Sequence, residues 1–566
     1  MKVLFLHVDY ITFKPLKKAL KNIAELSEKE KKEQKIKDAL AVLISVEKSD
    51  SDVKKIVSKL VENVKDVAGK VNAKNIVLYP YAHLSSNLAS PEIAIKVLEE
   101  AEKELKKDFN LSRAPFGYYK EFELKVKGHP LSELSREIKG EEESEEYDAK
   151  SLLREISRAR LDTSKLKEND HRILGQQMDL FSFNEVAPGM VFWHNNGLII
   201  YNELINFWRE MHRKSGYQEI STPQILDKKL WQISGHWEKY KDNIFLTDYE
   251  KRIFAVKPMN CPGSMLVYRS KPKSYKELPL RLSEMGVVHR KELSGTLGGL
   301  FRVIRFTQDD AHLFCTEEQL ENEIEGIISM INLFYEKFGV EFDHVELSTR
   351  PEKRIGEEKL WDKAEKALED VLKNKKMKYK INKGDGAFYG PKIDFHLKDS
   401  LGRTWQCSTI QLDFANPERF ELEYTSSDDK KNRPVIIHRV IYGSLERFIG
   451  ILIEDKNGRF PTWLAPIQLR VLSFTERNVD YAKKIVEKIG EKIPNIRMDA
   501  DFRDSTVQGK VKDAEIMRVP YIIVAGDKEE KEKTIAVRVK GSSKIEKFKV
   551  EKFIEMLKKE IDNREK

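Results

Sequence analysis

Short apolar runs of strand length, Val3-Leu4-Phe5-Leu6, Ala41 to Val46 and Ile76 to Tyr79, are separated by stretches with helical spacing, notably Val53 to Val67 and Pro91 to Leu105. That alternation predicts one compact α/β unit over residues 1–140. It stops at Gly140-Glu-Glu-Glu-Ser-Glu-Glu-Tyr-Asp, an acidic run with no core-forming residue, which reads as a solvated linker. Residues 141–175 are therefore assigned to a connection, charged and helical in its second half. Residues 176–462 carry most of the Trp and most of the clustered His, Cys, Arg and Gln. Around Thr462-Trp463-Leu464-Ala465-Pro466 the texture changes. Beyond it, Leu469 to Phe474, a helix from about 478 to 489, and Tyr521 to Gly526 predict alternating strands and helices over 463–566. No internal repeat stands out. The expected fold class is multidomain, α/β and α+β.

A chain of 566 residues, at about 100–200 residues per domain, agrees with three or four domains. No run approaches the ~18 consecutive apolar residues of a membrane span. The opening Met-Lys-Val-Leu-Phe-Leu resembles a signal peptide only briefly, because His7 and Asp9 break it, so a first strand is expected and nothing directs export. Three cysteines cannot build a disulfide framework, which points to a cytoplasmic location. Lys and Arg exceed Asp and Glu by 101 − 93 = 8, a weak argument for a polyanionic partner in a chain this long. The Lys- and Glu-dominated charge content resembles hyperthermophile composition.

Three segments carry the candidate chemistry. Gly216-Tyr-Gln-Glu-Ile-Ser-Thr-Pro223 follows a helical stretch containing Phe207, Trp208 and Met211. Val287-Val-His-Arg290-Lys-Glu292 and Phe301-Arg302-Val-Ile-Arg-Phe306 are two apolar strands around the loop Leu293 to Leu300, with Arg290 entering and Arg302 returning. Arginine presents a planar, permanently charged fork suited to phosphate and carboxylate, so two such forks make a plausible nucleotide site. Gly443-Ser-Leu-Glu-Arg447-Phe-Ile-Gly450 is an apolar helix with a lone arginine, and a buried arginine is expected to have an anionic partner, either a structural carboxylate or a ligand phosphate.

In this order the three segments resemble motifs 1, 2 and 3 of the class II aminoacyl-tRNA synthetases. Finer strings narrow the resemblance to the threonyl-tRNA synthetase family: Ser234-Gly-His-Trp-Glu-Lys-Tyr240, Lys257-Pro-Met-Asn-Cys-Pro-Gly263, Phe306-Thr-Gln-Asp-Asp-Ala-His312, Asp385-Gly-Ala-Phe-Tyr-Gly-Pro-Lys392, Trp405-Gln-Cys-Ser-Thr-Ile-Gln-Leu-Asp413 and His438 to Arg447. The resemblance implies an antiparallel sheet flanked by helices, with motif 1 building a homodimer interface. It implies that Arg290, Glu292, Arg302 and Arg447 bind ATP with Mg²⁺, and that His236 lies near the tRNA terminal ribose. It also makes Cys261, His312 and His438 the ligands of one Zn²⁺ per subunit, although their spacing alone gives no metal signature. Gln308, Asp310, Tyr389 and Gln411 would line the threonine pocket. A physical need accompanies this: an apolar pocket separates threonine from its near-isostere valine only about a hundredfold. A metal with open positions can engage the hydroxyl that valine lacks. Two departures from the family's usual strings are Ser264 and Gly298, where His is common.

Serine carries the same coordinating groups as threonine, so a second, hydrolytic site is expected. Residues 1–140 lack the H-x-x-x-H motif of bacterial editing domains. They resemble the archaeal editing domain, related to D-aminoacyl-tRNA deacylases, through Tyr81-Ala-His-Leu-Ser-Ser86, Ala114 to Lys120 and Gly128 to Leu134. The residues carried over are His83, Tyr119, Lys120 and Glu133, with Glu133 expected to hold Lys120; a thiol nucleophile is excluded because this region has no Cys. Residues 463–566 resemble a class IIa anticodon-binding domain, with Arg518, Glu529 and Arg538 as candidates for reading tRNA bases. Rival readings are a prolyl- or seryl-type synthetase, which would not need the Cys–His–His set, and a catalytically silent tRNA-binding paralogue, which would tend to lose the motif arginines.

Overall fold

The computed structural model describes every residue except 21–22, 29, 139–148, 157–165, 400–401, 541 and 543. The acidic run from Gly140 falls outside the described residues, as does much of the connection assigned to 141–175. The chain divides into two compact units, Met1–Leu153 and Arg154–Lys566. Among the described residues, no helix is long and apolar enough to cross a membrane.

The first unit is a mixed six-stranded sheet. Strand β1 (Lys2–Lys18) pairs antiparallel with β2 (Gln34–Ser45), which continues in parallel to β3 (Asn75–Pro80) and β4 (Asn110–Arg113). On its other side β1 pairs with both β5 (Tyr118–Val126) and β6 (Glu133–Glu137). β1 runs well past the Val3–Leu6 stretch because buried Val8, Ile11 and Phe13 continue to alternate with more exposed positions. Helix α1 (Val53–Val71) starts on Asp52, whose side chain accepts the Lys55 N–H. It buries Ile56, Val57, Leu60, Val64 and Val67, a spacing of three and four residues that makes one apolar stripe. Helix α2 (Pro91–Leu105) packs beside it over the same core.

The second unit is built on an eight-stranded sheet. Its longest hairpin is β8 (Leu280–His289) and β9 (Arg305–Cys315), and the short parallel β7 (Gln218–Glu219) forms the edge beside β8 after helix α3 (Asn195–Lys214). From the hairpin the order runs β9, β14 (Val435–Val440), β13 (Thr404–Asp413), β12 (Lys392–Lys398), β10 (His344–Ser348) and β11 (Lys380–Asn382). Apart from the two edge pairs, all neighbours are antiparallel. One face is covered by helix α4 (Leu320–Phe338) and helix α5 (Leu445–Asp455), whose apolar sides merge with Phe207, Trp208 and the strand interiors into a single core. The other face is left for chemistry. Residues 469 onward form a five-stranded sheet whose first three strands are parallel, with helix Val479–Lys492 extending slightly beyond the stretch expected from the sequence.

Candidate active site

The alternation of strand side chains sorts the hairpin residues into two jobs. On β9, Gln308, Asp310 and His312 share the open face, while Thr307 and Asp309 point into the protein. Directly opposite His312 stands His438; opposite His438 stands Gln411; and opposite Gln411 stands Lys392. One transverse row of four strands thus presents four polar groups side by side. Cys261 joins them from the first residue of a short helix, Cys261–Arg269. Cys261, His312 and His438 are buried, and one ligand atom from each lies within 4.8 Å of the others. With Met259, Arg290, Gln308, Asp310 and Tyr389 they line a cavity of about 280 Å³.

The donor set suits a soft-to-borderline dication. His312 Nε2 is buried without a hydrogen-bond partner. Burial keeps the His312 imidazole neutral, its ligating form, and pushes the Cys261 thiol well above its ordinary value. A thiolate there needs a cation beside it, which is what a metal ion supplies. His438 Nε2 lies 3.0 Å from Asp413 Oδ2, a carboxylate that can accept the Nε2–H hydrogen bond and leave Nδ1 as the lone-pair nitrogen. Asp310 lies at the margin: its carboxylate accepts from Asn260 Nδ2 at 3.1 Å, and burial raises its pKa to about 6.

The arginines surround the other end. Arg290 Nε donates to the Pro258 carbonyl at 3.1 Å, with its guanidinium over the Phe306 ring. Pro258 is itself held because its neighbour Lys257 is buried and bonded to Glu284 at 2.9 Å and to Thr222 Oγ1 at 2.8 Å. Arg302 is paired with Glu292, Nε to Oε2 at 2.9 Å. Of the two partners expected for Arg447, the structural carboxylate is not found: among the described residues it makes no ion pair. Its Nε and Nη1 donate to the carbonyls of Phe301 and Gln406, both at 2.9 Å, and its guanidinium lies over Trp405. Carbonyls and an indole face orient the fork without neutralising it, so its charge stays available for an anion.

The inward residues fix this geometry. Asp309 accepts the backbone N–H groups of Ile441 (2.9 Å) and Gly443 (3.0 Å), tying motif 2 to the start of motif 3. Gly443 has φ +81°, and a Cβ there would sit 2.5 Å from the Cys407 carbonyl oxygen. His171, which sequence reading passed over inside a charged stretch, joins three parts. Its Nδ1 meets Glu454 at 2.7 Å, its Nε2 accepts the Leu300 N–H at 3.0 Å, and its ring packs on Phe301, whose carbonyl holds Arg447.

Other expected residues are placed differently. His236 is completely buried, bonded to Ser234 Oγ at 2.8 Å and packed behind Met259 and Tyr389. Burial lowers its pKa to about 3. From there it braces the pocket wall behind Met259 and Tyr389. Ser264 Oγ donates to the Cys261 carbonyl at 2.8 Å, a bond back to its own helix.

In the first unit His83, Tyr119 and Lys120 line one cavity of about 480 Å³, with Tyr79, Tyr81 and Phe122. Lys120 Nζ donates to the carbonyls of Pro115 (2.9 Å) and Tyr118 (3.1 Å), and burial pulls its pKa down to about 8. Glu133 is not there. Lys120 pairs with Pro15 of β1 and Glu133 with Leu6, nine residues along that strand or roughly 30 Å of extended chain, so within one chain this carboxylate does not reach that ammonium. In the C-terminal sheet Arg518 and Arg538 line a common cavity of about 330 Å³, and Arg538 Nη1 pairs with Glu515 at 2.8 Å. Glu529 belongs to the helix Asp527–Glu532 at the far end of strand Tyr521–Ala525, away from that cavity, because Arg538 sits opposite Ile522 at the strand's beginning.

Three family models match the chain: an archaea-specific editing domain of threonyl-tRNA synthetase over residues 1–138, the class II core domain of the G, H, P, S and T synthetases over 242–456, and an anticodon-binding domain over 468–560. The threonine–tRNA ligase of Caldanaerobacter subterraneus is 53% identical over 395 residues, 70% of this chain and 61% of that protein, so the chain matches less than two thirds of that relative's length. A solved RNA-binding domain of threonyl-tRNA synthetase from Cryptosporidium parvum is 40% identical, with 69% of this chain and 98% of that chain covered and a TM-score of 0.66. A threonyl-tRNA synthetase structure from Aeropyrum pernix gives 29% identity, 70% and 97% coverage, and a TM-score of 0.60. With the site geometry and a 40% identical relative matched over nearly its whole length, the chain belongs to the threonyl-tRNA synthetase family.

Proposed function

We propose that the chain ligates L-threonine to its tRNA in two steps through threonyl-adenylate, and that its N-terminal unit hydrolyses seryl-tRNA made in error. The observation that carries this is the buried Cys261–His312–His438 set standing beside Asp310 and Arg290 in one cavity. A zinc ion held by those three residues would leave positions for an amino group and a hydroxyl, the pair that threonine has and valine lacks. Asp310 accepts a hydrogen bond from that hydroxyl, while Gln308, Tyr389 and Gln411 shape the cavity around the side chain. Arg290, Arg302 and Arg447 bind the triphosphate with Mg²⁺. The threonine carboxylate attacks the α-phosphorus, the bond to pyrophosphate breaks, and fixed guanidinium groups stabilise the charge that develops. The terminal tRNA hydroxyl then attacks the adenylate carbonyl and releases AMP. Arg518 and Arg538 contact the tRNA anticodon. The chain works as a cytoplasmic homodimer through motif 1, a reading supported by β7 lying at the edge of the sheet.

In editing, water adds to the seryl ester carbonyl, the C–O bond to the ribose breaks and the ribose oxygen takes the proton. Lys120 positions ester and water, with His83 and Tyr119 shaping the pocket. One methyl is a weak size sieve, so threonine escapes because its methyl displaces the water. Deletion of residues 1–140 is expected to leave threonine charging nearly intact while seryl-tRNA accumulates. Lys120→Met is expected to do the same with the unit folded. The pH dependence follows from the lysine pKa of about 8: the ammonium is present below that value and lost above it. Lys120-dependent deacylation therefore falls as pH rises through 8. Stability moves the other way, because between pH 8 and about 10.4 the unfolded lysine binds a proton that the folded one has lost. Thermal melts of the wild type should rise through that window relative to Lys120→Met. Seryl-tRNA hydrolysis at unchanged rate in Lys120→Met would remove Lys120 from the site.

A further inference from the structure

The catalytic domain holds a second set of imidazole and carboxylate groups that the ligase reaction does not use. His344 and Glu346 lie on one face of β10, and His396 stands directly opposite His344 on β12. The two rings are stacked, 4.4 Å between centroids and 9° from parallel. His344 Nε2 is 3.2 Å from Glu346 Oε1, and His396 Nε2 is 3.6 Å from Glu346 Oε2. One ligand atom from each of the three lies within 4.8 Å of the others.

The surroundings are arranged as supporting partners of ligands. Asp343 Oδ2 is 2.6 Å from His344 Nδ1, the carboxylate–imidazole contact that turns the opposite nitrogen into a lone-pair donor. Asn382 Nδ2 donates to Glu346 Oε2 at 2.9 Å and holds the carboxylate in place. That leaves a lone pair on His344 Nε2 facing a carboxylate oxygen. A protonated His344 shared between Asp343 and Glu346 would relieve that contact, but it would not account for His396, whose Nε2 is buried and has no hydrogen-bond partner. A cation satisfies all of them once one imidazole turns out of the stack, because the in-plane lone pairs of parallel rings 4.4 Å apart do not meet at one point. The nitrogen-to-oxygen separations of 3.2 and 3.6 Å are close to those of ligands about 2.0–2.2 Å from a common ion.

We propose that His344, Glu346 and His396 form a second metal site for a zinc-like divalent transition ion, separate from the Cys261 cluster. Two imidazoles and one carboxylate favour zinc, cobalt or nickel over magnesium, which takes oxygen ligands. The side chains remain 17–19% exposed, which leaves the ion a route in and room for water. Bound there, the ion cross-links β10 to β12. His396 shares its face of β12 with Lys392, a residue of the catalytic cavity wall, so the link braces the strand that carries that wall.

The test is cobalt titration of the untagged, metal-stripped full-length protein, read by visible absorption and by elemental analysis. The wild type should take two equivalents, one with a thiolate-to-cobalt band and one without. Cys261→Ser should lose the first and keep the second. His396→Gln and Glu346→Gln should keep the first and lose the second. If the Cys261 cluster takes no ion, the wild type should bind one equivalent that Cys261→Ser retains and His396→Gln loses. This outcome would uphold the present inference and overturn the zinc reading of the active site. A wild type that takes a single equivalent carrying the thiolate band would overturn the second site, without recourse to any variant. Uptake unaffected by His396→Gln and Glu346→Gln would do the same.

Discussion

Replacing Cys261 with Ala is expected to remove the proposed active-site metal and to abolish threonine-dependent ATP–pyrophosphate exchange together. Two imidazoles on opposing strands remain after that change, fewer protein ligands than the three-ligand zinc sites that keep a position open for substrate. The fold should survive. Ser264 Oγ donates back to the Cys261 carbonyl, a contact the substitution leaves in place, and the residues ahead of the helix are held by the Lys257–Glu284 pair. Metal content by elemental analysis and exchange rate on the same preparation check the result. A metal-free wild type with full exchange would separate the cluster from amino-acid recognition.

Arg290→Ala is expected to slow adenylate formation by 10²–10³-fold, about 2.7–4 kcal/mol, the usual cost of removing one preorganised charge-stabilising donor. Arg290 is oriented before any nucleotide arrives, by the Pro258 carbonyl on one edge and the Phe306 ring beneath it. That preorganisation also means Arg290→Lys should rescue only partly, because an ammonium lacks the planar fork. Single-turnover formation of threonyl-adenylate measures both variants. Near-wild-type rates in Arg290→Ala would show that the phosphate is held elsewhere.

Much of the site was legible because strand chemistry is local. Once Arg290 and Arg302 bracket a loop between apolar runs, a hairpin follows, and alternation along β9 separates Gln308, Asp310 and His312 from Asp309 and Ala311. What brings His312 beside His438 is a sheet pairing between residues more than a hundred positions apart, which no spacing in the sequence encodes. The motif resemblance supplied it. The same limit explains which expected groupings the structure leaves apart. Glu133 and Lys120 belong to one editing-domain pattern, yet they pair with opposite ends of β1, and only the register separates them. Glu529 and Arg538 are nine positions apart in the chain but lie at opposite ends of a strand. His171 was missed because a lone histidine in a charged stretch carries no signal until the fold packs it between Glu454 and the motif 2 loop.

The most direct test of the central reading is ATP–pyrophosphate exchange by the full-length protein with threonine, serine, valine and proline in parallel. The account expects strong exchange with threonine, detectable exchange with serine, and background rates with valine and proline. Exchange supported by proline or valine at a rate rivalling threonine, or no exchange with threonine in a zinc-replete preparation, would contradict it.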